Sequence, residues 1–278
     1  MCDASRDSLA IGFFDGVHRG HQAILDRAGT VVTFRNHPLS VLAPEKAPRM
    51  IMTAEARLER IRALGKKTVV LEFDRSMAEL EPAEFVAKHL APLGVKAIYA
   101  GENWRFGRGG KADIGWLKAA GFGAETVPYE TYLGEKISST RIRQALKSGD
   151  MQGAAAMLGR NWRLSGRVAP GKGEGRKLGF PTINIRPDEQ LVDVPKGVYE
   201  VRLGGKKGIA NYGVAPTFGE KAWNGAVCEV HMLEDGADIT DRCEAEMVRF
   251  IRPERKFVDV EELKAQIRRD VDGILQSV

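Results

Sequence analysis

The sequence is poor in cysteine. Cys2, Cys228 and Cys243 are too few and too scattered for a disulfide framework, and no pair has the CxxC spacing of a thiolate zinc site. That usage is expected of a reducing, cytoplasmic compartment. No apolar run approaches the ~20 residues of a membrane helix. The polar start MCDASRDS lacks the apolar core of a signal peptide. Neither secretion nor a membrane partner is therefore expected. Low-complexity tracts and internal repeats are missing too. So are Lys/Arg runs interleaved with aromatics, which argues against a nucleic-acid partner.

What is present is a globular composition over 278 residues, 43% hydrophobic and 28% charged. That length suits one large or two ordinary domains. The net charge of +5 is compatible with any mildly basic soluble enzyme, and also with an anionic ligand.

The first half alternates strands and helices. Apolar runs at Leu9–Phe14, Val31–Phe34, Thr68–Phe73, Ala97–Ala100 and Ala124–Val127 read as strands. Helices are expected at His21–Ala28, Thr53–Leu64 and Ala83–Leu93, the last opened by Pro82. This order predicts a parallel sheet with crossover helices, a Rossmann-like α/β domain. Two short helices follow, one beginning at Ser138-Ser139-Thr140 and one over Met151–Leu158 ending at Gly159.

The texture changes near Gly159–Trp162. Short strand-like pieces separated by Gly and Pro begin there: Arg163–Val168, Thr182–Ile185, Val198–Leu203, Lys207–Tyr212, Ala226–Met232 and Glu244–Phe250. They predict a small antiparallel β-barrel or sandwich. A terminal helix covers it, with Asp259 and Glu262 as a capping box and Val260, Leu263, Ile267, Val271 and Ile274 as its apolar stripe. The expected domains are therefore residues 1–160 and 161–278.

One stretch is chemically dense. FFDGVHRGH, residues 13–21, follows the first strand, so it falls at the carboxyl edge of the sheet, where α/β proteins bind ligands. A helix N-terminus there favours phosphate, and Gly16 and Gly20 permit close approach. Taken alone, the stretch also admits three other readings. It has the look of a metal half-site short of a third ligand, of a pair of capping and packing histidines, or of a Gly-rich turn. Ser139-Thr140-Arg141 alone reads equally as a helix cap. Gly171-Lys172-Gly173-Glu174-Gly175-Arg176 reads as a solvent-exposed hairpin or a phosphate cover; it is not a Walker A loop. Thr182 and Asn184 alternate on a strand and offer two neutral oxygens on one face. They suit a Mg²⁺ site with nucleotide phosphates, or a merely polar strand face. Glu229 is a lone carboxylate in the apolar run AVCEVHM, where burial is expected to raise its pKa toward that of a general base.

These pieces carry a resemblance. His18-Arg19-Gly20-His21 resembles the HxGH signature of the nucleotidyltransferase superfamily. More specifically, IGFFDGVHRGHQAIL, GENWRFGRGGKAD (101–113), ISSTRIRQAL (137–146) and GRKLGFPTINI with GVYEV (175–185, 197–201) resemble, in order, the bacterial bifunctional riboflavin kinase / FAD synthetase family. The resemblance implies a first domain that transfers AMP from ATP to FMN and a second that phosphorylates riboflavin. It implies His18 and His21 at the α-phosphate, with Gly12, Phe14, Asp15, Gly20, Ser139, Thr140 and Arg141 around the nucleotide. Asn103 and Phe106 would lie toward the flavin. In the second domain it implies Gly171, Lys172, Gly175 and Arg176 over the phosphates, Thr182 and Asn184 on Mg²⁺, Glu229 as base and Arg255 near the flavin. The substrates would be riboflavin, FMN and ATP. Rival readings are a kinase whose first domain only binds nucleotide, and a non-catalytic flavin or nucleotide sensor. Compared with that family, the segment between Gln22 and Thr33 is short, so its helix must be about two turns. Phe13 is also larger than the residue many relatives carry.

Overall fold

The computed structural model describes residues 7–170, 179–188, 190–214, 225–236 and 239–276. Contacts divide the chain into two compact units, Met1–Met50 with Ala54–Ser139 and Ile51–Thr53 with Thr140–Val278.

The first unit is built on five parallel strands: β1 (Ser8–Ile11), β2 (Thr30–Phe34), β3 (Lys67–Leu71), β4 (Ala97–Gly101) and β5 (Gly123–Val127), in the order β3-β2-β1-β4-β5. The central strands SLAI and TVVTF are buried at every residue, as helices on both sheet faces require. The edge strand β5 keeps alternate residues exposed. The helices are α1 (Arg19–Leu25), α2 (Leu39–Leu42), α3 (Ala54–Ala63), α4 (Arg75–Glu79), α5 (Pro82–Phe85) and α6 (Ile114–Ala119). Leu9, Ile11, Val32, Phe85, Leu90, Ile98 and Leu117 form the core between sheet and helices. A hairpin, β6 (Thr131–Tyr132) with β7 (Glu135–Lys136), turns on Leu133 and Gly134. Both take positive φ (53° and 78°), the two-residue turn that matches strand twist.

Two local expectations are corrected. The helix expected over Ala83–Leu93 is helical but not uniform. α5 passes into a π turn at Val86–Leu90 and a 3-10 turn at Ala91–Leu93. Pro92 has no N–H for the carbonyl four residues back, so the ladder must shift there. The first strand ends at Ile11 rather than Phe14, and α1 begins at Arg19 rather than His21. The residues between form a tight turn with positive φ at Phe14, Gly16 and Val17 (59°, 82° and 42°). α1 has seven residues, the two turns that the short Gln22–Thr33 segment allows.

The second unit begins with α7 (Ser139–Ser148), nearly all of which belongs to it, and α8 (Met151–Leu158), ended by Gly159 at φ 75°. Six antiparallel strands follow: β8 (Trp162–Ala169), β9 (Ile183–Pro187), β10 (Gly197–Leu203), β11 (Lys206–Val214), β12 (Ala226–Met232) and β13 (Arg242–Pro253). They close as a barrel in the order β10-β11-β12-β9-β8-β13, which leaves no free edge. Trp162 anchors the segment Ile51–Thr53 to this unit by donating from Nε1 to the Ile51 carbonyl at 2.6 Å. Leu164, Ile185, Tyr199, Val201, Cys228, Val230 and Met247 are buried. Cys228 and Cys243 are free thiols. Burial pushes the Cys228 thiol up to about 12.

The last helix, α9 (Val260–Leu275), seats Ile274 and Val271 against Val198 and Ile209. Asp259 caps it by accepting from the Glu262 N–H at 2.8 Å. The Glu262 carboxylate accepts from Val258 N–H rather than from Asp259, a variant of the expected box. Val260 falls off the apolar stripe and is 51% exposed.

Candidate functional site

The first unit holds an open pocket of about 230 Å³ at the carboxyl ends of β1, β4 and β5. The strand order reverses direction between β1 and β4, and such crevices are where open α/β sheets bind ligands. Gly12, Phe14, His18, Gly20, His21, Asn103 and Ser139 all line it. The structure thus gathers these residues from three separate sequence stretches into one wall.

Each is placed for a local reason. Gly12 has no side chain because the Phe14 ring crosses over it; a Cβ would meet that ring at 2.9 Å. His18 is the N-cap of α1, and its Nδ1 accepts from the His21 N–H at 3.2 Å. Accepting at Nδ1 leaves Nε2 as the nitrogen able to donate. The His18 and His21 rings stack with centroids 3.5 Å apart. Gly20 gives the His18 ring room, since a Cβ there would approach it at 3.3 Å. Capping, one of the readings of the sequence, thus uses Nδ1 of this ring.

Asp15 is buried, and its carbonyl accepts from Ser139 Oγ at 3.1 Å. This bond ties the turn to the start of α7. Thr140 and Arg141 follow in the first turn of that helix and group with the second unit.

Asn103 accepts from the Tyr129 hydroxyl at 3.1 Å, and Lys136 Nζ stands 3.2 Å over the Tyr129 ring. Tyr129, Lys136 and Trp104 line the same pocket and were not singled out from sequence. Phe106 is 6% exposed and lies in the core, stacked on Trp104 at 4.7 Å. It therefore backs the pocket wall rather than facing the pocket.

The least foreseen residue is Arg57 of α3. It is 1% exposed. Its guanidinium donates to the carbonyls of Phe13, Phe34 and Arg35 and to Thr33 Oγ1, and covers the Phe13 ring at 4.0 Å. Burial pulls its pKa down to about 10, opposed by the nearby carboxylates of Asp15 and Glu55. The one sequence clue was its place four residues before Ile61, on the apolar face of the helix.

The second unit holds a larger cleft, about 680 Å³, lined by Thr182, Asn211, Glu229, Arg255, Phe257 and Asp270 among others. Glu229 on β12 lies opposite Asn184 on β9 and Asn211 on β11. Asn184 is buried, 6% exposed. Glu229 is exposed to the cleft, while Cys228 and Val230 on either side point into the barrel. The buried environment expected for its carboxylate is thus absent, because strand alternation turns it outward. His231 donates from Nδ1 to the Pro181 carbonyl at 2.9 Å and so pins the turn before Thr182. Arg255 bonds Glu262 and Gln266 and lies over Phe257 at 4.6 Å. Behind it, Arg252 and the nearly buried Asp270 pair at 2.8 Å, with Gln266 donating to the other carboxylate oxygen. Gly171, Lys172, Gly175 and Arg176 lie outside the described residues.

A family model described as FAD synthetase matches residues 2–141, and one described as riboflavin kinase matches residues 158–278. Curated relatives named bifunctional riboflavin kinase/FMN adenylyltransferase span nearly the whole chain. The Escherichia coli protein is 37% identical over 94% of this chain and 90% of its own. The Haemophilus influenzae protein is 37% identical over 95% and 92%. The Bacillus subtilis protein is 32% identical over 96% and 91%. A solved Streptococcus pneumoniae chain, titled a macrolide-efflux protein, matches with TM-score 0.85 at 28% identity, covering 98% of this chain and 95% of that one. In this chain no helix among the described residues is long and apolar enough to cross a membrane. With both family models matched in order and the relatives aligned from end to end, the chain belongs to the bifunctional riboflavin kinase/FMN adenylyltransferase family.

Proposed function

We infer that this chain makes both flavin cofactors: it phosphorylates riboflavin with ATP to give FMN and ADP, then transfers AMP from a second ATP to FMN, giving FAD and pyrophosphate. The observation that carries the reading is that each unit has its own pocket and its own family match. We assign the adenylyltransferase to residues 1–160 and the kinase to residues 161–278; the matches at 2–141 and 158–278 support that division. A cytoplasmic location fits the free thiols.

In adenylyl transfer an FMN phosphate oxygen attacks the α-phosphorus of ATP and the bond to pyrophosphate breaks. The protein's part is positioning and charge stabilisation. His18 donates from Nε2 to an α-phosphate oxygen, its tautomer set by the cap at Nδ1. His21 stacks against it and adds a second donor. Gly12, Phe14, Asp15 and Gly20 shape the turn. Ser139, Thr140 and Arg141 hold the β- and γ-phosphates from the start of α7. Asn103, held by Tyr129, meets the flavin, and Phe106 supports Trp104 behind it.

In the kinase, Glu229 accepts the proton of the ribityl 5′-hydroxyl as that oxygen attacks the γ-phosphorus and ADP leaves. Thr182 and Asn184 offer neutral oxygens next to this carboxylate, a donor set that suits a hard cation with retained waters. They would hold Mg²⁺. When bound, it neutralises phosphate charge. Gly171, Lys172, Gly175 and Arg176 cover the nucleotide, and Arg255 orients the flavin side of the cleft.

The test is incubation with riboflavin, ATP and Mg²⁺, followed by chromatography. FMN and FAD together are expected. FMN alone would remove the adenylyltransferase assignment. Flavin binding without any product would leave a sensor.

A further inference from the structure

We propose that Arg57 is a positioning residue for adenylyl transfer, acting through the backbone of the Phe13–His18 turn. The proposal rests on the adenylyltransferase reading of the first pocket. Three observations carry it. The turn is strained: Phe14 and the β-branched Val17 both take positive φ, which L residues adopt only when surroundings force them. Arg57 is what grips its start. The guanidinium bonds the Phe13 carbonyl, which Thr33 Oγ1 also bonds at 3.1 Å, and sits 4.0 Å from the centroid of the Phe13 ring. Finally, its other acceptors are the carbonyls of Phe34 (2.6 Å) and Arg35 (3.0 Å), at the carboxyl end of the neighbouring strand β2.

That location decides the chemistry. Phosphate enters at the carboxyl edge of the sheet, where backbone carbonyls present partial negative charge. Arg57 occupies three of these carbonyls with one buried cation, so the edge holds a fixed turn and loses acceptor groups that would repel an anion. The large Phe13, unexpected beside the chemistry, becomes the platform on which the guanidinium rests. A lysine is a point charge and cannot bond three carbonyls in this fork-like way.

Arg57→Met keeps bulk and removes charge and donors. It is expected to lower kcat for FAD formation at least 100-fold, with the KM for FMN within threefold and FMN formation from riboflavin unchanged. Arg57→Lys is expected to recover part of the loss. Thr33→Val, nearly isosteric and removing the hydroxyl that donates to Phe13 and accepts from Arg57, is expected to lower kcat by roughly three- to tenfold. It decides the matter if Arg57→Met fails to fold. Wild-type FAD formation together with Arg57→Met or Thr33→Val variants at full kcat would overturn the inference alone. Equal losses of kinase and adenylyltransferase activity would overturn it as well. A wild-type chain that makes no FAD would instead remove the reading beneath it.

Discussion

The two pockets serve reactions of one class with different materials. The first is small and built on strained backbone: three positive-φ residues in four positions, a histidine that doubles as helix cap, and a buried arginine beneath. The second is about three times larger and built on regular strands, with Asn184, Glu229 and Asn211 side by side across three neighbouring strands. On the proposed roles, the difference follows from the attacking group. A phosphate oxygen of FMN needs no base, so the first site would need only donors for the charge on phosphorus. A hydroxyl must lose a proton, which the carboxylate of the second site would accept. A parallel sheet ends in helix N-termini that suit the first task, and a barrel surface presents alternating side chains that suit the second.

The comparison breaks most visibly if the carboxylate of the second site or a donor of the first is removed. Glu229→Gln should lower FMN formation by ~10²–10⁴-fold, the usual worth of a general base, while FAD formation from supplied FMN persists. His21→Ala should do the reverse, with FAD formation falling by ~10²–10³-fold, as for loss of a donor to developing charge. Product chromatography on both substrates reads out each; a variant that is folded but loses both activities would dissolve the partition. Gly12→Ala forces a methyl into the Phe14 ring and should depress only FAD formation, by roughly tenfold, a loss of ~1.4 kcal/mol of transition-state stabilisation.

A stability test sharpens the same contrast. Arg252→Met leaves the nearly buried Asp270 without its cation, and breaking such a pair costs roughly 3–5 kcal/mol. Thermal or urea unfolding should show the second unit melting earlier than in the wild type, with FMN formation from riboflavin lost at correspondingly lower temperature or denaturant. The smallest effect concerns Cys228. Its thiol titrates near 9 when unfolded and at about 12 in the barrel, so the unfolded chain binds fewer protons between those values. The contribution of this thiol to the stability of the second unit should therefore be constant below pH 9 and be lost as pH rises toward 12, and Cys228→Ala should remove that part of the fall in urea titrations.

The sequence by itself determined more of the architecture than of the sites. Five apolar runs and six short strands broken by Gly and Pro are properties of local pattern, and they appear as the parallel sheet and the closed barrel. The histidines, Ser139, Asn103, Thr182 and Glu229 were legible because their residue types are unusual where they stand. Three things came only from tertiary structure. Glu229 turned outward because pairing with β9 on one side and β11 on the other set the phase of β12. Phe106 sank into the core because Trp104 and Trp116 close around it. Arg57 lies 44 residues beyond the carbonyl of Phe13 that it holds. No window of sequence contains both, and an arginine on a helix reads as solvated until the fold buries it. Local periodicity records which face of an element is apolar. Which carbonyl meets which guanidinium is decided only when separate elements pack.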